Sequence, residues 1–193
     1  MTRARPTIAK IIHMTNTSEV EKPDDHDVIY ALRTAHQNQT QMNLMADQKA
    51  NILVGAIVIL MTFLFTRLAV MDFSNTYLVF VLTIIIILLG LALLFGIMVI
   101  KPRTKWVSVV KINEIPNPFF FGFFSQFKQQ EYVDFMMGKL IDNQSARELL
   151  IQDIYQLGQV LKRKYSLLKY AYDCAAAGIL LGLVAIVSLL IVK

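Results

Sequence analysis

Residues 77–100 read YLVFVLTIIIILLGLALLFGIMVI, a run of 24 positions without one charged side chain. As a helix this run is about 36 Å long, enough to cross a hydrocarbon core of roughly 30 Å with some tilt. Residues 174–192 form a second uncharged run, of 19 positions. The third run, NILVGAIVILMTFLFT at 51–66, extends to about Met71 if the alkyl chain of Arg67 reaches the interface.

The composition of the chain supports placing these runs in a membrane. Of its 193 residues, 55% are hydrophobic and 17% are charged, whereas a soluble domain has about 45–50% and about 25%. A chain this short has no remaining sequence in which three such helices could be buried. The sequence therefore predicts an all-α membrane protein with transmembrane helices at 51–71, 77–100 and 173–192.

Lysine and arginine are distributed unevenly around the predicted spans. Six precede the first span and eleven lie between the second and the third, whereas the connection 67–76 holds only Arg67. Basic residues near span ends stay on the cytoplasmic side. We therefore expect a cytoplasmic N-terminus and a cytoplasmic region 101–172. Residues 1–27 hold no apolar core followed by a cleavage site, so no cleaved signal peptide is expected.

The segment before the first span has helical periodicity. Residues 1–27 are polar and are predicted to form a disordered tail. From residue 28 to 50 a helix is predicted to run into the span, because small or apolar residues recur three or four positions apart. Polar side chains crowd its last turns. They satisfy hydrogen bonds between helices, face water, or bind a ligand.

A second long helix is predicted to begin near Asn143 and to continue into the third span. Its apolar residues recur three and four apart at Leu150, Ile154, Leu157, Leu161, Tyr165, Leu168 and Tyr172. Its opposite faces are expected to carry Gln152, Asp153, Gln159, Lys162, Arg163 and Lys164. The basic run anchors the helix to anionic headgroups or holds a phosphate. The first and third spans are thus predicted to extend into a cytoplasmic helical bundle.

A phenylalanine-rich segment lies within the region 101–172. Five of the six residues from Phe119 to Phe124 are phenylalanine, a run too short to span a membrane. Pro116 and Pro118 prevent a helix from continuing into it. We expect an interfacial segment or a lid over the bundle, followed by a short amphipathic helix.

Motifs of familiar catalytic chemistry are absent from the sequence. It contains no Gly-rich phosphate loop, no HExxH, no paired cysteines and no G-x-S-x-G elbow. His13, His26 and His36 do not form a metal-ligand set, and no aromatic-basic stripe indicates nucleic-acid binding. The sequence therefore predicts a protein that is not an enzyme and that carries no metal or cofactor and binds no nucleic acid.

Three stretches resemble the Pycsar transmembrane effectors. Residues 42–65 read MNLMADQKANILVGAIVILMTFLF, which is similar to the A-D-x-K-A-N-x-L-x-G run that leads into the first span of that family. Residues 120–136, FFGFFSQFKQQEYVDFM, and 153–172, DIYQLGQVLKRKYSLLKYAY, resemble its F-F-G-x-F element and its D-I-Y-x-L-G-x-V-L-x-x-K-Y-x-L-L run. The resemblance covers roughly residues 30–192, in the same order and with three spans.

The resemblance implies a role in antiviral defence. Family members are bacterial antiphage effectors whose partner pyrimidine cyclase makes cyclic UMP (cUMP) or cyclic CMP (cCMP) on infection. The effector is expected to sense this nucleotide as its activating ligand and to impair the inner membrane, which causes abortive infection. The implied partners are the lipid bilayer, the cyclic pyrimidine nucleotide and the cyclase.

A cyclic mononucleotide needs an anionic subsite, a stacking surface and polar groups at the edge of its base. The hypothesis for this chain assigns these roles to Asn43, Asp47, Lys49, Asn51, Tyr155, Lys162, Lys164 and Tyr165. The alternative is that the ADQKAN and DIYxLG motifs only lock the two helices together, since buried polar groups must be paired in any case.

Two further questions stay open at the level of sequence. Three helices enclose no pore, so membrane damage predicts a homo-oligomer. Gly178 and Gly182 allow close helix approach, either between copies or within one protomer. The competing function is a non-enzymatic accessory or assembly subunit of another membrane complex, which acts by docking alone.

Overall fold

The computed structural model describes residues 25–70, 75–102 and 111–191, and within these ranges every regular element is helical. The three long helices are α1 (Asp25–Leu68), α2 (Thr76–Ile100) and α5 (Asn143–Ile191), and each is long and apolar enough to cross a membrane. Two short helices, α3 (Phe121–Phe124) and α4 (Gln129–Leu140), and a 3₁₀ turn at Ile112–Glu114 lie between α2 and α5. The predicted all-α class with three such helices is confirmed. Residues 1–24 of the predicted tail lie outside the described residues.

The helices α1 and α5 are much longer than a membrane is thick. They contain 44 and 49 residues, which correspond to about 66 Å and about 74 Å, against a hydrocarbon core of roughly 30 Å. Neither glycine nor proline occurs from 25 to 54 in α1 or from 159 to 177 in α5. Helical hydrogen bonding therefore continues unbroken from the polar part of each helix into the apolar part.

The helices α1 and α5 run parallel with one constant register. His36 contacts Asp153, and eleven residues later Asp47 contacts Lys164, so the partners are 117 positions apart in both pairs. Between these pairs and the spans, small residues allow the two helices to lie close together. Ala46 and Ala50 of α1 and Ala171 of α5 are fully buried.

The core between the spans is apolar and is formed by all three long helices. Its buried members are Leu53, Ile57, Ile85, Leu89, Ala92, Ala171 and Ala175. The outward faces of the same helices carry large exposed side chains such as Phe63, Phe80 and Leu183. Such faces suit contact with lipid, because lipid chains are as apolar as the side chains themselves.

Gly178 and Gly182 of α5 pack within the protomer. A Cβ atom at Gly178 would lie 3.5 Å from Leu88 Cβ and 3.5 Å from Leu89 Cδ2 of α2, and one at Gly182 would lie 3.8 Å from Ile85 Cδ1. These glycines therefore allow α5 to approach α2. The sequence left open whether these glycines pack between copies or within one protomer, and the geometry supports packing within one protomer.

Gly96 packs closely against α1, which gives a testable packing prediction. A Cβ atom there would lie 2.7 Å from Val54 Cγ2, and valine has little rotamer freedom in a helix. We expect Gly96→Leu to destabilise the protein by about 1–3 kcal/mol, the usual cost of overpacking. Thermal unfolding in detergent measures this effect. Gly90→Leu on the same helix is the control, because nothing lies within 4 Å of a Cβ at Gly90; equal melting temperatures would contradict the prediction.

Asp142 fixes the start of α5. Its Oδ2 accepts hydrogen bonds from the backbone N–H of Ser145 at 3.1 Å and from the Ser145 hydroxyl at 3.2 Å. The backbone hydrogen bonds from Ser145 and Gln144 lower the pKa of Asp142. The cap is made by the ionised carboxylate, so it is complete above the ordinary aspartate pKa and is lost as the pH falls through the lowered value.

Candidate functional site

The residues that the sequence predicted as ligand contacts fall on different surfaces of the α1–α5 pair. Asp47 and Lys164 meet between the helices, whereas Lys49 and Tyr165 meet on another face. The separation has a simple cause, since neighbouring positions on a helix point about 100° apart. Asn43 lies between the helices, and its Oδ1 is buried. The remaining three predicted residues are exposed, namely Asn51, Tyr155 and Lys162.

Polar side chains connect α1 and α5 along the part that precedes the spans. Lys164 Nζ lies 2.7 Å and 2.8 Å from the two carboxylate oxygens of Asp47. Three turns earlier, His36 Nε2 donates to Asp153 Oδ2 at 2.8 Å, because an ionised carboxylate can only accept. Between the two pairs, Gln39 Oε1 and Asn43 Oδ1 are buried and have no hydrogen-bond partner among the described residues.

Asp153 also fastens the phenylalanine-rich segment to the helix pair. Asn117, which is 2% exposed, donates from Nδ2 to Asp153 Oδ1 at 2.7 Å and to Gln156 Oε1 at 3.1 Å. Asn117 Oδ1 accepts from the backbone N–H of Phe119 at 2.9 Å. One carboxylate thus joins α1, α5 and the segment that begins at Pro116.

The predicted position of Asp153 is wrong, and the buried contact of Asn117 was not predicted. Asp153 was expected on an outward face of α5, but it is 9% exposed. It lies three positions after Leu150, at the edge of the inward face, where two donors compensate for its burial. Asn117 stands between Pro116 and Pro118 in an apolar stretch. An isolated polar residue in such a setting is the signal that could have indicated a buried contact.

Removing the Asp153 carboxylate should release the phenylalanine-rich segment. We expect Asp153→Ala to remove an acceptor from the buried amide of Asn117 and from the half-buried imidazole of His36, at a cost of about 1–3 kcal/mol. Hydrogen–deuterium exchange of residues 115–124 should become faster. Glu148→Ala is the control, because Glu148 is an exposed carboxylate of the same helix and accepts from Gln152 at 3.2 Å. Unchanged exchange in Asp153→Ala would show that the carboxylate does not hold the segment.

The phenylalanine-rich segment closes a cavity beside the Asp47–Lys164 pair. The cavity has a volume of about 510 Å³, within the range of about 300–1,000 Å³ that is usual for small-molecule sites. Its walls come from the end of α2, from two rings of the phenylalanine-rich segment and from α1 and α5. They are Asp47, Met98, Val99, Ile100, Lys101, Pro102, Phe120, Phe121, Gln159, Val160, Arg163, Lys164 and Leu167.

The cavity combines basic and aromatic side chains. Arg163 and Lys164 are adjacent on α5 and both line it, as does Lys101 at the end of α2. The Lys164 and Asp47 side chains are partly accessible, at 21% and 34%. Phe120 and Phe121 also line the cavity, and the centroids of their rings are 5.0 Å apart. Such a cavity suits a flat, singly charged anion, because it offers a cationic edge and aromatic faces.

A separate cleft holds Lys49, another of the predicted cations. Lys49 Nζ lies 6.0 Å from the ring centroid of Tyr165, a cation–π contact. Lys169 and Tyr172 of α5 also line this cleft, which has a volume of about 340 Å³ and shares no lining residue with the cavity. The predicted ligand contacts therefore line two separate pockets.

Metal-ligating side chains do not cluster in the part of the chain that the structure describes. Within residues 25–70, 75–102 and 111–191, no three histidine, cysteine or acidic side chains are placed to hold a metal ion. His13 lies outside these ranges.

The fold describes a three-helix membrane protein with a cavity next to its spans. The family model of the Pycsar effector protein domain, PycTM, matches residues 30–192. The chain therefore belongs to the Pycsar effector family and is a Pycsar effector transmembrane protein. No significant match was found among curated proteins or among solved structures.

Proposed function

We propose that this chain is an antiphage effector that binds a cyclic pyrimidine mononucleotide, cUMP or cCMP, and then impairs the bacterial inner membrane. A partner pyrimidine cyclase makes the nucleotide, and the damaged cell stops growing, which is abortive infection. Membership in the Pycsar effector family is the observation that carries this proposal. The three helices that can cross a membrane support the proposed target.

The proposed ligand site is the cavity that Phe120 and Phe121 close. A cyclic mononucleotide carries one negative charge on its phosphodiester, which Arg163 and Lys164 match. Its base is flat and would stack on the two rings, since stacking on aromatic side chains is a common way to bind a nucleobase. Gln159 is placed to donate to or accept from the edge of the base, because its amide can do either.

Competition for Lys164 is the proposed trigger. Both oxygens of Asp47 accept hydrogen bonds from Lys164 Nζ. A phosphodiester that draws this ammonium away weakens a polar link between α1 and α5 close to the spans. Both helices continue unbroken into the apolar core, so a change in their packing passes directly into the membrane.

The proposed arrangement places the cavity in the cytoplasm of the cell. Basic residues flank the ends of the spans on that side, and they include Lys49, Lys101 and Lys169. The N-terminus and residues 101–172 are then cytoplasmic, where the product of a cyclase is available. Since three helices enclose no pore, damage is proposed to come from a homo-oligomer.

Co-expression of the chain with an inducible pyrimidine cyclase tests the proposed function. Entry of a membrane-impermeant dye is expected only when both proteins are present and the cyclase is active. A cyclase whose active site has been inactivated is the control. Unchanged permeability with an active cyclase would refute the effector role and favour an accessory subunit.

A further inference from the structure

A cleft on the α1–α5 pair presents two ammonium groups and two phenol rings to solvent. It is lined by Lys49, Tyr165, Leu168, Lys169 and Tyr172. Both lysines are exposed, and neither forms an ion pair within the described part of the chain. The nearest ion pair engages Asp47 with Lys164 on another face. The positive charge of the cleft is therefore available to an external anion.

The packing of Leu168 fixes the position of this cleft along the spans. Leu168 forms a buried cluster with Ala50 of α1 and Val99 of α2. Val99 is the second-last residue of α2, and Lys101 follows that helix at once. The apolar run of α1 begins at Ile52. The cleft consequently lies at the end of the spans, where the hydrocarbon core meets the headgroups.

The chemistry of the cleft matches a phospholipid headgroup at that depth. Tyrosine rings are enriched at the membrane–water interface, because the ring is apolar and its hydroxyl is polar. Lysines near an anionic surface attract its phosphates. Of the acidic residues nearby, Asp47 is paired with Lys164, and Asp173 follows Tyr172 but does not line the cleft.

We infer that this cleft binds the phosphate of an anionic phospholipid in the leaflet at the Lys49 end of the spans. Lys49 and Lys169 donate to the phosphate, and Tyr165 and Tyr172 lie against the glycerol and the first methylene groups. Lys49 and Tyr165, which the sequence suggested as nucleotide contacts, are assigned here to lipid. The inference does not depend on the proposed nucleotide function.

Native mass spectrometry of the full chain, released from mixed nanodiscs of phosphatidylcholine and phosphatidylglycerol, tests the inference. The wild type should retain phosphatidylglycerol in preference to phosphatidylcholine. The double variant Lys49→Gln, Lys169→Gln should lose about tenfold to thirtyfold in this preference, as removal of two lysines at a membrane surface predicts. The matched control is Lys128→Gln, Lys139→Gln, which removes the same charge from exposed positions on or next to α4. Equal loss in both double variants would show unspecific attraction and overturn the inference.

A competition experiment distinguishes a bound lipid from a bound soluble phosphate. Inorganic phosphate and glycerol 3-phosphate, added in excess, should not displace the retained phosphatidylglycerol; displacement by either would assign the cleft to a free phosphate instead.

Calorimetric titration of the same double variant with cUMP and with cCMP distinguishes a lipid site from a nucleotide site. A parallel loss of nucleotide affinity would return Lys49 to the nucleotide site and overturn the lipid assignment. Nucleotide binding that fails in the wild type as well, with lipid preference intact, would refute only the proposed function.

Discussion

Lys164→Gln is expected to lower the affinity for the cyclic nucleotide by about 10- to 150-fold, because it removes a charge-assisted hydrogen bond of about 1.5–3 kcal/mol to the phosphodiester. The Asp47 carboxylate, whose oxygens lie 2.7 Å and 2.8 Å from Lys164 Nζ, would then face the phosphate without a counter-charge. Isothermal titration of detergent-solubilised protein with cUMP and with cCMP measures the change.

Asp47→Asn is the complementary substitution and should act in the opposite direction. It removes the carboxylate that competes for Lys164, so we expect the nucleotide to bind several-fold more tightly, as loss of a partly exposed ion pair allows. Lys162→Gln is the matched control, since Lys162 is two positions away on α5, is exposed and does not line the cavity. Weakened binding in Asp47→Asn, or equal losses in Lys162→Gln and Lys164→Gln, would contradict competition at this ion pair.

Asp173→Pro should separate ligand binding from membrane damage. Residue 173 lies in α5 after the cavity and immediately before the uncharged run 174–192. Proline there removes one backbone hydrogen bond and clashes with the preceding turn, at a cost of about 3 kcal/mol. We expect nucleotide affinity to change by no more than about threefold. Nucleotide-dependent leakage from vesicles should fall by about tenfold, which corresponds to a loss of about 1.4 kcal/mol of coupling free energy.

Asp173→Ala is the control for this second prediction. It removes the same exposed carboxylate but leaves the helix intact, so both binding and leakage should match the wild type. Retained binding in the proline variant shows that the cavity is still folded. Full leakage from that variant would mean that an unbroken α5 is not needed to transmit the signal.

The spans and their continuation could be predicted from the sequence because each signal is local. Residues 77–100 contain no charge, and α5 contains neither glycine nor proline from 159 to 177, so length and hydropathy decide the helices. The polar character of the α1–α5 contact was also predictable from the residues before the first span. These properties depend on neighbouring positions and on helical geometry alone.

The candidate site could be predicted only in part. Asp47 and Lys164 were both expected to contact a ligand, but their pairing depends on a register between residues 117 positions apart. The link from Asn117 to Asp153 depends on the path of a loop whose residues 103–110 lie outside the described ranges. Lys49 was grouped with Asp47 because the two are close in the sequence, although a difference of two helical positions places them on different faces.

Leakage from reconstituted vesicles tests the central claim most directly. The purified chain is inserted into dye-loaded vesicles of phosphatidylethanolamine and phosphatidylglycerol, and cUMP, cCMP, cyclic AMP or no nucleotide is added. We predict dye release with cUMP or cCMP, and no release with cyclic AMP or without nucleotide. Release that does not depend on the nucleotide, or intact vesicles with both pyrimidine nucleotides, would contradict the claim that this chain is a nucleotide-triggered membrane effector.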